Sequence, residues 1–246
     1  MGQDLPRIVA AIPARWGSTR FPGKPLASLG GRPVIAHVVE RARAARTVEA
    51  VLVATDDERI AAAARGAGAE AVLTGEHPSG TDRVAEAVLG RGGWELVVNL
   101  QGDEPLLPPE NIDRLVEGML GNPEVGLGTL CRPLPSGREG DPNAVKVVRR
   151  ADGRALYFSR SVIPYPRERG TASGLWRLHL GIYAFRREAL RRFVELEPSP
   201  LERAEGLEQL RALENGLEIL VLDAPADSMG VDTPGDLARA ESRLQE

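Results

Sequence analysis

The chain has 246 residues, 42% apolar and 27% charged, which suits one large soluble α/β unit. Its net charge of −4 excludes recruitment to nucleic acid or an anionic membrane by overall charge, so an anionic ligand must be held by local arginines, lysines, backbone amides or a metal ion. A single cysteine, Cys131, excludes an internal disulfide, and the opening residues carry Asp4, Pro6 and Arg7 instead of an apolar leader, so a cytoplasmic location is expected.

Taken in order, the apolar run 7–13 reads as a buried first strand and 34–44 as a helix on apolar spacing. A strand at 50–54 stops at Thr55-Asp56-Asp57 and is followed by an alanine-rich helix over 58–65. A third strand at 70–73 leads to a helix over 81–89 capped by Thr81, and a fourth at 96–100 leads to a helix over 109–120 that opens on proline. Beyond Val125 the rhythm changes: 145–149 and 155–158 flank Asp152-Gly153 as a hairpin. A strand at 178–185, helices at 188–195 and 201–213, a strand at 218–222 and a helix at 234–244 complete the chain, and 164–174, rich in Pro, Gly and charge, reads as a mobile loop. Strands alternating with helices through short connections imply parallel pairing with right-handed crossovers. A single α/β domain over 1–246 is expected, with a mostly parallel sheet and a β-rich insertion over about 130–185.

Three strings at strand ends carry the chemistry. The loop after the first strand runs from Ala14 to Pro25: Gly17 and Gly23 allow close backbone approach, and Arg15, Arg20 and Lys24 supply positive charge, a combination suited to polyphosphate. Pro25 follows Gly23-Lys24 where a Walker A loop needs Ser or Thr. Only Lys24 and Lys146 are lysines among 31 basic residues, which singles both out. The second string, Gln101-Gly102-Asp103-Glu104-Pro105, offers a carboxylate able to hold magnesium against phosphate, and Asp232 would share that ion if the two strand ends lie together. Read alone, Asp103 is equally a turn residue and Asp232 a helix-start residue before Pro234. The third string is His77-Pro78-Ser79-Gly80-Thr81-Asp82-Arg83, in which Ser79, the loop amides and Arg83 suit a nucleotide pocket as well as a capped helix.

Together with Asn143–Val148, Ala155–Arg160, His179–Tyr183, Leu207–Arg211 and Gly230–Pro234, these strings resemble the 3-deoxy-manno-octulosonate (KDO) cytidylyltransferase family, in the family's order and over nearly the whole chain. The resemblance implies a nucleotide-diphospho-sugar transferase-like three-layer sandwich and a magnesium-dependent homodimer. Such an enzyme makes CMP-KDO and pyrophosphate from CTP and KDO for lipopolysaccharide synthesis. It further implies that Pro13, Ala14, Arg15, Lys24, Ser79, Gly80, Arg83 and Asp103 bind nucleotide, and that Asp103 and Asp232 hold Mg2+. Arg15, Lys24, Asp103 and Asp232 are then the catalytic set. Gln101, Arg160, His179, Tyr183, Glu208 and Gln209 are expected to line the sugar-acid site, and the insertion to supply sugar and dimer contacts. Without the resemblance, Tyr183 reads as a strand aromatic and Glu208 as a solvated helix face. The chain departs from the family where Leu178, instead of a basic residue, precedes His179. Competing readings are CMP transfer to 8-amino-KDO or to a sialic acid, and a catalytically silent nucleotide sensor.

Overall fold

A computed structural model describes residues 7–17, 21–168 and 174–244. Ser18, Thr19 and Arg20 of the first loop, and 169–173 of the loop expected to be mobile, lie outside the described residues.

The first half builds the parallel part of the sheet. In order come β1 (Ile8–Ala14), β2 (Ser28–Leu29), β3 (Arg32–Pro33), α1 (Val34–Arg43), β4 (Ala50–Thr55), α2 (Glu58–Gly66), β5 (Glu70–Leu73), α3 (Gly80–Leu89), β6 (Leu96–Asn99) and α4 (Pro109–Leu120). The second half adds β7 (Leu127–Pro133), β8 (Lys146–Arg149), β9 (Ala155–Ser159), β10 (Arg177–Arg186), α5 (Arg187–Val194), α6 (Pro200–Glu205), α7 (Gln209–Glu214), β11 (Ile219–Asp223) and α8 (Pro234–Leu244).

The main sheet runs β11-β7-β10-β6-β1-β4-β5. β1 pairs in parallel with β4 and β6, β4 with β5, and β11 with β7; β10 alone among these seven is antiparallel to its neighbours. The sheet is sandwiched because β1 is apolar on both faces. Ile8, Ala10 and Ile12 pack into a core with α1, α2 and α4, while Val9 and Ala11 pack into a second core with α3, α5 and α7. A smaller cluster of Leu29, Val34, Val231 and Ala240 holds α8 near the start of α1.

Several sequence expectations are corrected. β7, a central strand, is absent from the sequence reading. Gly126 just before it and Gly128 within it dilute the apolar pattern, and both are glycines for a packing reason: a Cβ at Gly126 would lie 2.7 Å from Ala189 Cβ and one at Gly128 2.6 Å from Met119 Sδ. The helix expected over 201–213 is two, α6 and α7, broken where Gly206 adopts φ 61°. The cap of α3 is Ser79, whose Oγ accepts from the Asp82 N–H at 3.1 Å; Thr81 sits inside the helix. The expected hairpin forms as β8 and β9. The stretch 130–185 begins in β7 and ends in β10, both within the main run of the sheet, and β8 and β9 branch from it where β8 pairs with the start of β10.

Candidate active site

Because β1, β4, β5 and β6 are parallel, their carboxyl ends share one edge of the sheet, where open α/β folds place ligands. A cavity of about 240 Å³ opens there. All eight residues expected to bind nucleotide line it: Pro13, Ala14, Arg15, Lys24, Ser79, Gly80, Arg83 and Asp103. Gln101 and Asp232 line it too.

Tight backbone packing sets the spacing. A Cβ on Gly102 would lie 2.6 Å from the Pro13 carbonyl oxygen, so glycine lets the turn after β6 sit directly on the end of β1. Asp103 and Asp232, 129 positions apart in sequence, meet because the Val231 N–H donates to the Asp103 carbonyl at 2.7 Å, while the buried Val231 side chain anchors the loop in the α8 cluster. The Lys24 ammonium then donates to Asp103 Oδ2 at 2.6 Å and to Asp232 Oδ1 at 3.3 Å. Its side chain is 11% exposed, so this pairing is far less screened than a surface salt bridge.

Arg83 is almost fully buried and neutralised: it donates to Asp56 at 2.8 Å and to the Thr74 hydroxyl at 2.6 Å. Its guanidinium braces the wall of the cavity. Burial, then the charge of Asp103 and that of Asp232, push the Glu104 carboxyl up to about 7, against a hydrogen bond from Ser228. Glu104 was not singled out from the sequence.

The residues expected at the sugar-acid site fall into three places. Glu208 accepts from the Ser79 hydroxyl at 2.8 Å and the Thr81 hydroxyl at 3.0 Å, which ties α7 to the cavity wall. Burial raises its carboxyl pKa, opposed by those two hydroxyls. Glu208, Gln209 and Tyr183 line a small pocket with Thr81. Tyr183 stacks in an aromatic row, Phe158–His179–Tyr183–Phe185–Phe193, with ring centroids 5.0 to 6.2 Å apart. Burial pushes the Tyr183 hydroxyl pKa up and brings His179 down to about 3, so both are neutral at physiological pH. His179 Nε2 lies 3.0 Å from the Thr129 hydroxyl. Gln101 packs toward Gly181 of β10 and so stands between the cavity and this row.

Arg160 is elsewhere. Its guanidinium donates to the main-chain carbonyls of Glu205 at 2.6 Å, Pro142 at 2.9 Å and Gly206 at 3.3 Å, which closes the carboxyl end of α6, and it does not line the cavity. Lys146, the second lysine, is fully buried and donates to the carbonyls of Asp141 at 2.8 Å and Arg160 at 2.7 Å; its work is structural. Asn99, unremarked in the sequence, belongs with the Glu208 group: its amide donates to Thr81 at 3.1 Å. Among the described residues, its Oδ1 and Gln209 Nε2 are buried without a hydrogen-bond partner, a pattern that suits a polar ligand between them and the cavity. The signal was available, since Asn99 is a lone amide ending an apolar strand.

A cation-lined cleft with paired carboxylates at the carboxyl edge of a parallel sheet defines a nucleotide-binding transferase. Residues 9–219 match the family model described as cytidylyltransferase, and the chain belongs to that family. It is 55% identical to a 3-deoxy-manno-octulosonate cytidylyltransferase of Anaeromyxobacter dehalogenans (strain 2CP-C), covering 96% of this chain and 97% of that one. It is 48% identical to the protein of the same name from Myxococcus xanthus (strain DK1622), covering 97% of each. A solved CMP:2-keto-3-deoxy-manno-octonic acid synthetase complexed with CTP superimposes with a TM-score of 0.92 at 41% identity, covering 97% of this chain and 98% of that one.

Proposed function

We propose that the chain transfers CMP from CTP to the anomeric hydroxyl of KDO, releasing pyrophosphate. The observation that carries the reading is the Lys24 ammonium held by Asp103 and Asp232 in a cavity also lined by Arg15. Attack of the sugar hydroxyl on the α-phosphorus needs positioning and charge neutralisation more than covalent help. Arg15 and Lys24 offset the charge that grows on the departing pyrophosphate. The Ser79 and Gly80 segment and the backbone of Pro13 and Ala14 form the wall for the nucleoside.

The donor set suits a magnesium ion, because two carboxylates already converge on one cation, the ammonium of Lys24. Among the described residues no group of three or more acidic, His or Cys side chains forms a complete cage, so phosphate and water oxygens would fill the rest of the shell. Bound there, Mg2+ would polarise the phosphate and neutralise its charge.

Glu208, Gln209, Tyr183, neutral His179 and Gln101 supply hydroxyl-matching groups for the sugar acid. Arg160 keeps two of its five N–H groups beyond its three carbonyl bonds, enough for a carboxylate. Exposed apolar side chains Leu156, Tyr165 and Leu175, all in the stretch 130–185, support a homodimer built through that region. Among the described residues no helix is long and apolar enough to cross a membrane. A cytoplasmic role in supplying lipopolysaccharide synthesis completes the proposal.

Pyrophosphate release tests it. With CTP and KDO, release is expected only when a divalent cation is present, and at a rate at least about tenfold above that with 8-amino-KDO or a sialic acid. Equal rates with a sialic acid, or full activity in excess chelator, would contradict the reading.

A further inference from the structure

Trp16 directly follows Arg15 in the phosphate loop and meets, across that loop, Gly23, the residue before Lys24. It is 38% exposed, so ordinary core burial does not explain where its ring sits. One face of the ring receives the Arg59 guanidinium, whose Cζ is 3.7 Å from the centroid. The outer carbons of the ring meet Gly23: a Cβ there would come within 2.8 Å of Trp16 Cη2, and Gly23 also has φ 71°, so no side chain fits at that position. The Trp16 carbonyl accepts from the Gly23 N–H at 3.1 Å, and the Trp16 N–H reaches Asp56 Oδ1 at 3.5 Å.

Arg59 is itself fixed. Its Nε and Nη2 donate to the two oxygens of Asp57 at 3.0 and 2.5 Å, and Asp57 is the cap of α2. Asp56 is the partner of Arg83 in the cavity wall. The outgoing limb of the phosphate loop, its returning limb and the start of α2 are therefore joined at one indole ring.

We propose that Trp16, in contact with both Arg59 and Gly23, is a positioning residue that closes the neck of the phosphate loop and sets the separation of Arg15 and Lys24. The ring contacts Gly23, the residue before Lys24, and its own main chain continues directly from Arg15, so losing the ring leaves the Gly23–Trp16 main-chain bond to hold the neck and loosens both cations. The Lys24 bond to Asp103 at 2.6 Å depends on that placement. A cation over an aromatic face adds a modest attraction and orients the ring, so Arg59 is the weaker half of the latch.

The inference rests on reading Arg15 and Lys24 as contacts of the CTP triphosphate, and the test separates the two. CTP and CMP affinities are measured by calorimetry for the wild type, Trp16→Ala, Trp16→Phe, Arg59→Met and Lys24→Met, with thermal unfolding of each. Trp16→Ala is expected to weaken CTP about tenfold or more while CMP, which has no β- or γ-phosphate, stays within about twofold. Trp16→Phe keeps a ring and should restore most of the CTP affinity; Arg59→Met should lose about two- to fivefold. If Lys24→Met leaves CTP affinity unchanged, the triphosphate reading falls and the latch with it. If Lys24→Met weakens CTP but Trp16→Ala matches the wild type, the latch alone is overturned. Equal loss of CTP and CMP in Trp16→Ala, or a Trp16→Phe variant as poor as Trp16→Ala, would also overturn it.

Discussion

Replacing Asp103 by Ala is expected to slow pyrophosphate release from CTP by roughly a thousandfold or more, about 4 kcal/mol of lost transition-state stabilisation, with the fold intact. Asp103 is the nearer of the two carboxylates around Lys24, at 2.6 Å against 3.3 Å for Asp232. Without it Lys24 loses the contact that aims its ammonium, and the proposed cation site loses half of its protein ligands. The fold should tolerate the change because the Asp103 side chain lies at the cavity and is not packed in the core. The bond that joins its loop to Val231 uses the main-chain carbonyl, which alanine keeps. Steady-state turnover together with a thermal unfolding curve checks both halves. Turnover within tenfold of the wild type would remove Asp103 from the mechanism.

Gly102→Ala should be nearly as damaging without touching a charged group. Its added Cβ would meet the Pro13 carbonyl oxygen at 2.6 Å, and neither the β1 main chain nor the turn after β6 can yield as a flexible side chain would. The Asp103 turn must then move away from β1 and carry its carboxylate off Lys24. Displacements of this size near reacting groups cost on the order of a hundredfold in rate, and the overpacking about 1–3 kcal/mol in stability. Gly92→Ala is the control, since a Cβ there meets nothing within 4 Å. Turnover and urea unfolding of the two variants are compared. A Gly102→Ala protein as active as Gly92→Ala would mean that the turn is looser than its packing indicates.

What the sequence disclosed follows from where information is local. The strand-loop-helix rhythm of the first half was legible because β1, β4 and β6 are short apolar runs ended by polar turns. β7 escaped because its glycine, Gly128, answers to Met119 and Leu115 on α4, a tertiary fact that no local pattern carries. The break at Gly206 was missed for a related reason: glycine inside an otherwise helical pattern signals an end only when it turns left-handed, and the main chain alone reveals that. At the site, the strand-end strings located the cavity-lining residues correctly, since parallel strands deliver their carboxyl ends to one edge. The Lys24–Asp103–Asp232 convergence depended on a backbone bond from Val231, invisible in sequence. Arg160 shows the opposite limit. Three of its N–H groups close a helix end while two stay available to a carboxylate, and composition does not reveal that divided use.

Binding of Mn2+ in the presence of CTP, followed by electron paramagnetic resonance, tests the central claim most directly, because it reads the carboxylate pair without depending on turnover. The wild type is expected to take up the ion with CTP, and Asp103→Asn and Asp232→Asn should each weaken that uptake by about tenfold or more. Uptake unchanged in both variants would contradict the assignment of these two aspartates to one cation.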